Sequence, residues 1–211
     1  MRPAGSHRRI YTSFALIALA TAGCSSMSRT ECLAMDWRTI GYEDGVAGYP
    51  GDHIARHRKA CGKYGVRADL SLYQAGRAQG LREYCQPANG YRLGVRGGSY
   101  GGVCPAELEP AFVNSFEDGH QLYTLQARVS NAEAQLNSRR RELDRIEHGI
   151  VSNAAAAVSN DSSKEDRADA VLDTAQLAER AGRLKEEIRE LEGDRARYER
   201  DLDEYRASPP R

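Results

Sequence analysis

The chain predicts a mainly α-helical protein: a small disulfide-stapled helical domain with a Gly/Tyr-rich loop, followed by a long antiparallel coiled-coil helical hairpin. Three observations carry this. Cys32 to Gly119 holds four of the five cysteines and 15 of the 20 glycines. Gln121 to Arg211 has no cysteine and carries apolar residues at alternating spacings of three and four. A polar, unpatterned segment splits that second zone in two. The expected boundaries are residues 1–23 as a signal peptide, 24–120 as the Cys-rich domain and 121–206 as the hairpin. The hairpin has a connector at about 151–166, and 207–211 is a tail.

The N-terminus sets the address. Arg2, Arg8 and Arg9 precede an uncharged, mostly apolar stretch from Ile10 to Ala22, the layout of a secretory signal. It is shorter than the roughly 20 apolar residues that span a bilayer. Leu19-Ala20-Thr21-Ala22-Gly23-Cys24 resembles a lipobox, with Thr21 where Leu is usual. Cys24 is therefore the expected lipidation site; the alternative is ordinary cleavage near Ala22 or Gly23. The residues after Arg8-Arg9 fit twin-arginine export poorly, which favours general secretion. Ser25 predicts sorting to the outer membrane, with the chain lipid-anchored on its periplasmic face. Each buried CH₂ of the acyl chains contributes about 0.8 kcal/mol to that anchoring.

Beyond residue 23 the charges nearly balance, at 27 basic against 30 acidic residues, so nucleic acid is not an expected partner. With Cys24 assigned to lipid, Cys32, Cys61, Cys85 and Cys104 remain. An even number in an exported chain reads as two disulfides, and no CxxC pair suggests a metal knuckle.

Helices are expected from about Asp36 to Val46, from His53 to Cys61 with Asp52 as N-cap, and from Asp69 to Cys85. Gly62 and Gly65 end the second. Gln86 to Val103 reads as a Gly- and Tyr-rich loop, and Pro105 or Pro110 opens the next helix. Trp37–Gly45, Leu72–Gly80 and Ala111–Gly119 align as a weak repeat with small residues four apart, hence on one helix face. If the first two helices form an antiparallel hairpin, Cys32 lies beside Cys61. The same logic puts Cys85, ending one helix, beside Cys104, opening the next. The expected pairs are Cys32–Cys61 and Cys85–Cys104, each contributing roughly 2–4 kcal/mol.

The hairpin seams run from Leu122 through Leu136 to Ile150, and from Leu177 through Ile188 to Tyr205. Their matching lengths favour pairing within the chain over pairing between subunits. Arg139 and Arg195 interrupt the seams, and each is expected to carry its head group to solvent.

Chemistry is sparse. His53 and His57 lie at i and i+4, a metal-ligand spacing, but no third ligand is evident and no metal site is assigned. Glu43-Asp44 and Glu117-Asp118 are adjacent acids that point apart on a helix, not a general acid–base pair, and are expected to be exposed, near helix starts or in side-chain contacts. No catalytic residue and no cofactor is expected. Arg56, Arg58, Lys59, Lys63 and Arg67 form a dense basic segment that suits anionic ligands. Tyr91 and Tyr100 bracket the Gly-rich loop as candidate recognition residues.

Trp37-x3-Gly41-Tyr-Glu-Asp-Gly45, His57-Arg58-x-Ala60-Cys61, Gly76-Arg77-x2-Gly80-Leu81-x2-Tyr84-Cys85 and Asn89-Gly90-Tyr91 together resemble a proteobacterial cell-envelope lipoprotein family of unknown function, DUF2799. The resemblance implies an envelope lipoprotein and supplies no ligand or catalytic residue. A non-enzymatic adaptor working through the hairpin on an envelope protein is the leading expectation. A binder of peptidoglycan or lipopolysaccharide through the basic and Tyr-rich surface is the alternative.

Overall fold

The computed structural model describes residues 27–207. Cys24, the expected signal peptide and the residues after Ala207 lie outside the described residues. Among the described residues there are seven α-helices and no strand. They are α1 (Arg29–Leu33), α2 (Trp37–Val46), α3 (Ile54–Gly62), α4 (Leu70–Tyr84), α5 (Pro87–Val95), α6 (Glu109–Val158) and α7 (Lys164–Ala207). A 3₁₀ turn, Gly51–His53, leads into α3.

Local chemistry sets most of the ends. Ser28 and Glu31 form a capping box on α1. The carboxylate of Asp36 accepts from the Arg38 amide at the start of α2, and that of Asp69 accepts from the Ser71 and Leu72 amides at the start of α4. Asp52 does not cap α3. It sits inside the 3₁₀ turn, and no side chain caps the helix it enters. Pro110 lies in the first turn of α6, where its missing N–H costs nothing.

The largest difference from the sequence expectation is α5. Pro87–Val95 is a helix, where a loop was expected from Gln86 to Val103. Its Asn-Gly and Leu-Gly steps read locally as breakers, yet the glycines are used for contact. A Cβ on Gly90 would stand 2.3 Å from the Phe112 carbonyl oxygen, and one on Gly94 2.2 Å from that of Phe116. Only a bare backbone can approach α6 so closely, and this packing outweighs the propensity cost of about 1 kcal/mol per glycine.

With α5 in place, the domain resolves into two copies of one arrangement. In the first, α2 crosses α4. Gly41 faces the Tyr73 carbonyl, Gly45 that of Arg77, and Gly80 that of Tyr42, with hypothetical Cβ distances of 2.0, 2.4 and 2.2 Å. In the second, α5 crosses α6 in the same register: Gly90 faces Phe112, Gly94 faces Phe116, and Gly119 faces Tyr91. Two residues past the end of each first helix stands a left-handed glycine, Gly48 (φ 71°) and Gly97 (φ 68°). A tyrosine from the second helix lies against each, Tyr84 on Gly48 and Tyr123 on Gly97. The three-part repeat expected from sequence is thus the visible part of a four-helix, two-unit pattern.

Each unit has its disulfide. Cys32–Cys61 and Cys85–Cys104 are both formed, with Cα–Cα separations of 5.4 and 5.7 Å. The first holds α1 to the end of α3. The second holds the end of α4 to the loop before α6. Trp37, Ile54 and Tyr73 form the core of the first unit. Leu81, Cys85, Cys104 and Phe112 form that of the second, and since Leu81 and Cys85 come from the end of α4, they join the units.

Helix α6 continues without a break from the second unit into the hairpin. Its 50 residues span about 75 Å. The connector is shorter than expected: α6 runs to Val158 and α7 begins at Lys164. Ala154 to Ala157 are strong helix formers. At the other side, Ser163 Oγ accepts from the Asp166 amide while Asp166 accepts from the Ser163 amide, a capping pair. Leu125, Ala132, Leu136 and Ile146 of α6 are buried, as are Ala181, Leu184, Ile188 and Leu202 of α7. The pairing is therefore within the chain. Arg139 reaches Glu142 and Glu187 at 3.1 Å each, with its head group exposed. Arg195 is half-buried and lies 3.4 Å from Glu199. At the return end, the Tyr205 hydroxyl donates to the Asp118 carbonyl at 2.6 Å. No helix among the described residues is long and apolar enough to cross a membrane.

Candidate functional site

The close crossing of α2 on α4 dictates what sits beside it. Asp44 precedes Gly45 on α2, so it faces inward with the glycine pair, while its neighbour Glu43 points to solvent. Tyr73 precedes Gly76 by one turn on α4 and is fully buried. The short turn after α2 brings the 3₁₀ segment and α3 over the same spot. That turn is fixed by Arg77, whose Nε and Nη2 donate to the Tyr49 carbonyl at 3.0 and 2.8 Å. The Tyr49 ring in turn stacks on His53 with centroids 4.0 Å apart.

Three side chains converge on one oxygen. Asp44 Oδ2 accepts from the Tyr73 hydroxyl at 2.7 Å. His53 Nδ1 stands 3.0 Å from the same oxygen, and His57 Nε2 3.1 Å. The imidazoles are one turn apart on one face, as their spacing requires. Asp44 is the one charged residue that is buried among those described. Burial alone pushes its carboxyl group up, but the Tyr73 hydroxyl and the two imidazoles outweigh this and hold it below its ordinary value. Tyr73 moves the other way: burial, and then its bond to the Asp44 carboxylate, raise its hydroxyl well above the usual tyrosine range.

The expectation that the adjacent acids are exposed is therefore overturned for Asp44. The signal was present in the helical spacing, since Asp44 stands three residues after Gly41 and next to Gly45 and so shares their packing face, which Glu43 does not. The third partner of His53 and His57, not evident in sequence, is this carboxylate.

The basic segment divides. Arg58, Lys59 and Arg67 rim a groove of about 630 Å³ floored by Ile54, Val66 and Leu70. Arg56 and Lys63 do not line it, and the Lys63 ammonium lies 4.8 Å from the Tyr64 ring centre. The Tyr91–Tyr100 recognition loop is a correction. Tyr91 is exposed, as expected, but it stands on α5 and not on a loop. Tyr100 packs in the second core beside Phe112, its ring centre 4.9 Å away. Its hydroxyl accepts from the Cys104 amide and donates to Glu109, both at 2.9 Å. A tyrosine whose ring and hydroxyl are both engaged inside the fold serves the core.

No curated protein and no solved structure matches the chain. Residues 36–121, which hold the two glycine-crossed units and end where α6 leaves them for the hairpin, match the family described as protein of unknown function (DUF2799).

Proposed function

We propose that the protein is a lipid-anchored lipoprotein of the outer membrane, facing the periplasm. Cys24 carries the lipid, and the helical hairpin presents a docking surface to an envelope protein; the chain is an adaptor and not an enzyme. The supporting observation is where the apolar surface lies. Val151, Val158, Val171 and Leu172 are all more than half exposed and sit in the distal parts of α6 and α7, while the other two large apolar residues that exposed among those described, Leu33 and Leu70, lie apart in the Cys-rich domain. Large exposed apolar residues grouped at one end of a rod suit a partner. Photo-crosslinking in living cells from position Asn160 tests this. Capture of one envelope protein, lost on Leu172→Ser with Val158→Ser, is expected. Capture of lipid or glycan alone would overturn it.

The groove rimmed by Arg58, Lys59 and Arg67 supports a second reading, recognition of the phosphate or carboxylate groups of lipopolysaccharide or peptidoglycan. Here Arg58→Glu with Arg67→Glu in the full chain abolishes sedimentation with purified sacculi or lipopolysaccharide. Retention of both would remove this reading.

A further inference from the structure

The two units of the domain are built on one plan, which allows the contents of one to be compared with the other. Gly41-Tyr42-Glu43-Asp44-Gly45-Val46-Ala47-Gly48 aligns with Gly90-Tyr91-Arg92-Leu93-Gly94-Val95-Arg96-Gly97, and the glycine contacts follow the same register. In that alignment Asp44 corresponds to Leu93. On the second helices, Tyr73 corresponds to Phe112, and both are fully buried. The second unit fills this position with Leu93, Phe112 and Tyr100 as core. The first fills it with Asp44, Tyr73, His53 and His57. The framework therefore closes around apolar side chains without a buried charge, since Glu109, which accepts from the Tyr100 hydroxyl, is only half-buried. Burying a carboxylate is costly, so the polar set in the first unit calls for a purpose besides folding.

Its geometry is that of a ligand set. Asp44 Oδ2, His53 Nδ1 and His57 Nε2 all lie within 4.8 Å of one another. The two nitrogen–oxygen separations of 3.0 and 3.1 Å are near the roughly 3.3 Å edge of a tetrahedron with bonds of about 2.0–2.1 Å. His53 Nδ1 is buried and stands 3.0 Å from the carboxylate oxygen without a hydrogen-bond partner, whereas His57 Nε2 is hydrogen-bonded to that oxygen at 3.1 Å. The two imidazole nitrogens and the carboxylate oxygen thus converge on one point, where a metal ion would take a lone pair from each ring and replace the His–Asp contacts. The Tyr73 hydroxyl, donating to Asp44 Oδ2, supplies the outer bond that orients a ligating carboxylate. Both imidazoles are partly exposed, so a fourth position opens to solvent.

We propose that Asp44, His53 and His57 bind a divalent first-row transition-metal ion, with Tyr73 positioning the carboxylate. Two imidazoles and one carboxylate are a borderline donor set that fits zinc(II), whereas calcium and magnesium prefer all-oxygen shells. The ligands come from α2, the 3₁₀ turn and the first turn of α3. The ion thus clips α3, and with it the basic groove, onto the α2–α4 crossing. Its fourth position is free for water or for a donor on a partner.

The test uses the full chain with both disulfides formed and Cys24→Ser, which removes the proposed lipid site and its thiol together. Zinc(II) is titrated in competition with a chromophoric chelator. One equivalent binds and the melting temperature rises. His53→Gln and His57→Gln each weaken binding more than about tenfold, and Tyr73→Phe about tenfold. His120→Gln with His148→Gln leaves it unchanged. Cobalt(II) shows visible d–d bands that vanish in His57→Gln. Asp44→Leu with Tyr73→Phe, which installs the residues of the second unit, keeps the helical signal and abolishes binding. Zinc uptake by wild type no tighter than by that double variant would overturn the proposal. So would loss of uptake on replacing His120 and His148.

Discussion

At the scale of single residues, glycine does two opposite things in this chain, and the difference is a prediction. Gly76 stands where a Cβ would be 1.9 Å from the Arg38 carbonyl oxygen. The contact is backbone on backbone and has no flexible end to yield. Gly76→Ala is expected to destabilise by about 1–3 kcal/mol or more. Gly193 lies inside α7 with nothing within 4 Å of a Cβ, so Gly193→Ala is expected to stabilise by about 0.5–1 kcal/mol. Thermal melts of the two variants check the sign of each. The cysteines give a second residue-scale outcome. Cys61→Ser leaves Cys32 without a partner, so alkylation after denaturation without reductant labels Cys32 and spares Cys85 and Cys104. Label at either of those would mean that the pairing of the oxidised chain is different.

Helices carry the next scale. The hairpin is held by its apolar seam much more than by its charges. Leu136 is almost wholly buried, and Leu136→Ala is expected to cost about 2–5 kcal/mol. Arg140 and Lys185 reach Glu192 and Glu147 across the hairpin at 2.6 and 2.9 Å, but all four side chains are exposed. Arg140→Ala is expected to change stability by less than about 1 kcal/mol, as chemical denaturation of the two variants would show. The seams were legible because spacings of three and four over nine positions admit few other readings. So were α2, α4 and both disulfides, since each helix there starts at an Asp cap and Cys32, Cys61 and Cys85 sit at helix ends, with Cys104 in the loop that leads into α6. Helix α5 was not legible by the same means. Its glycines, taken locally, signal a turn, and only the α6 backbone against them makes a helix the better state. The parallel of Gly41-Tyr42-x2-Gly45-Val46-x-Gly48 with Gly90-Tyr91-x2-Gly94-Val95-x-Gly97 would have revealed it, because α2 was already recognised as helical. Asp44 was missed for a related reason. Its partners come from a turn and a helix whose position over α2 is set by tertiary contacts.

For the whole molecule, shape follows from helix length. A compact chain of this size has a radius of gyration of about 16 Å, whereas α6 alone is about 75 Å long. Small-angle scattering is expected to give a clearly larger radius and a maximum dimension above about 75 Å, with the mass of one chain. A compact profile would mean that the hairpin folds back. The Tyr205 hydroxyl ties the end of α7 to Asp118, next to the Gly119 crossing of the second unit. Tyr205→Phe is expected to cost about 0.5–1.5 kcal/mol and to speed amide exchange in the last turns of α7 first.

That α6 serves both the domain and the rod makes it a lever with its fulcrum at Gly119. The arm from Gly119 to Val158 is about 58 Å long at 1.5 Å per residue. A rotation of one degree at the glycine crossing therefore sweeps the tip through roughly 1 Å. Conversely, a lateral push on the tip arrives at Phe112 and the Cys85–Cys104 bridge as torque, with no hinge along the way to absorb it. A small rotation at the crossing thus becomes a large displacement at the tip, and the Cys85–Cys104 bridge braces the short end of the lever.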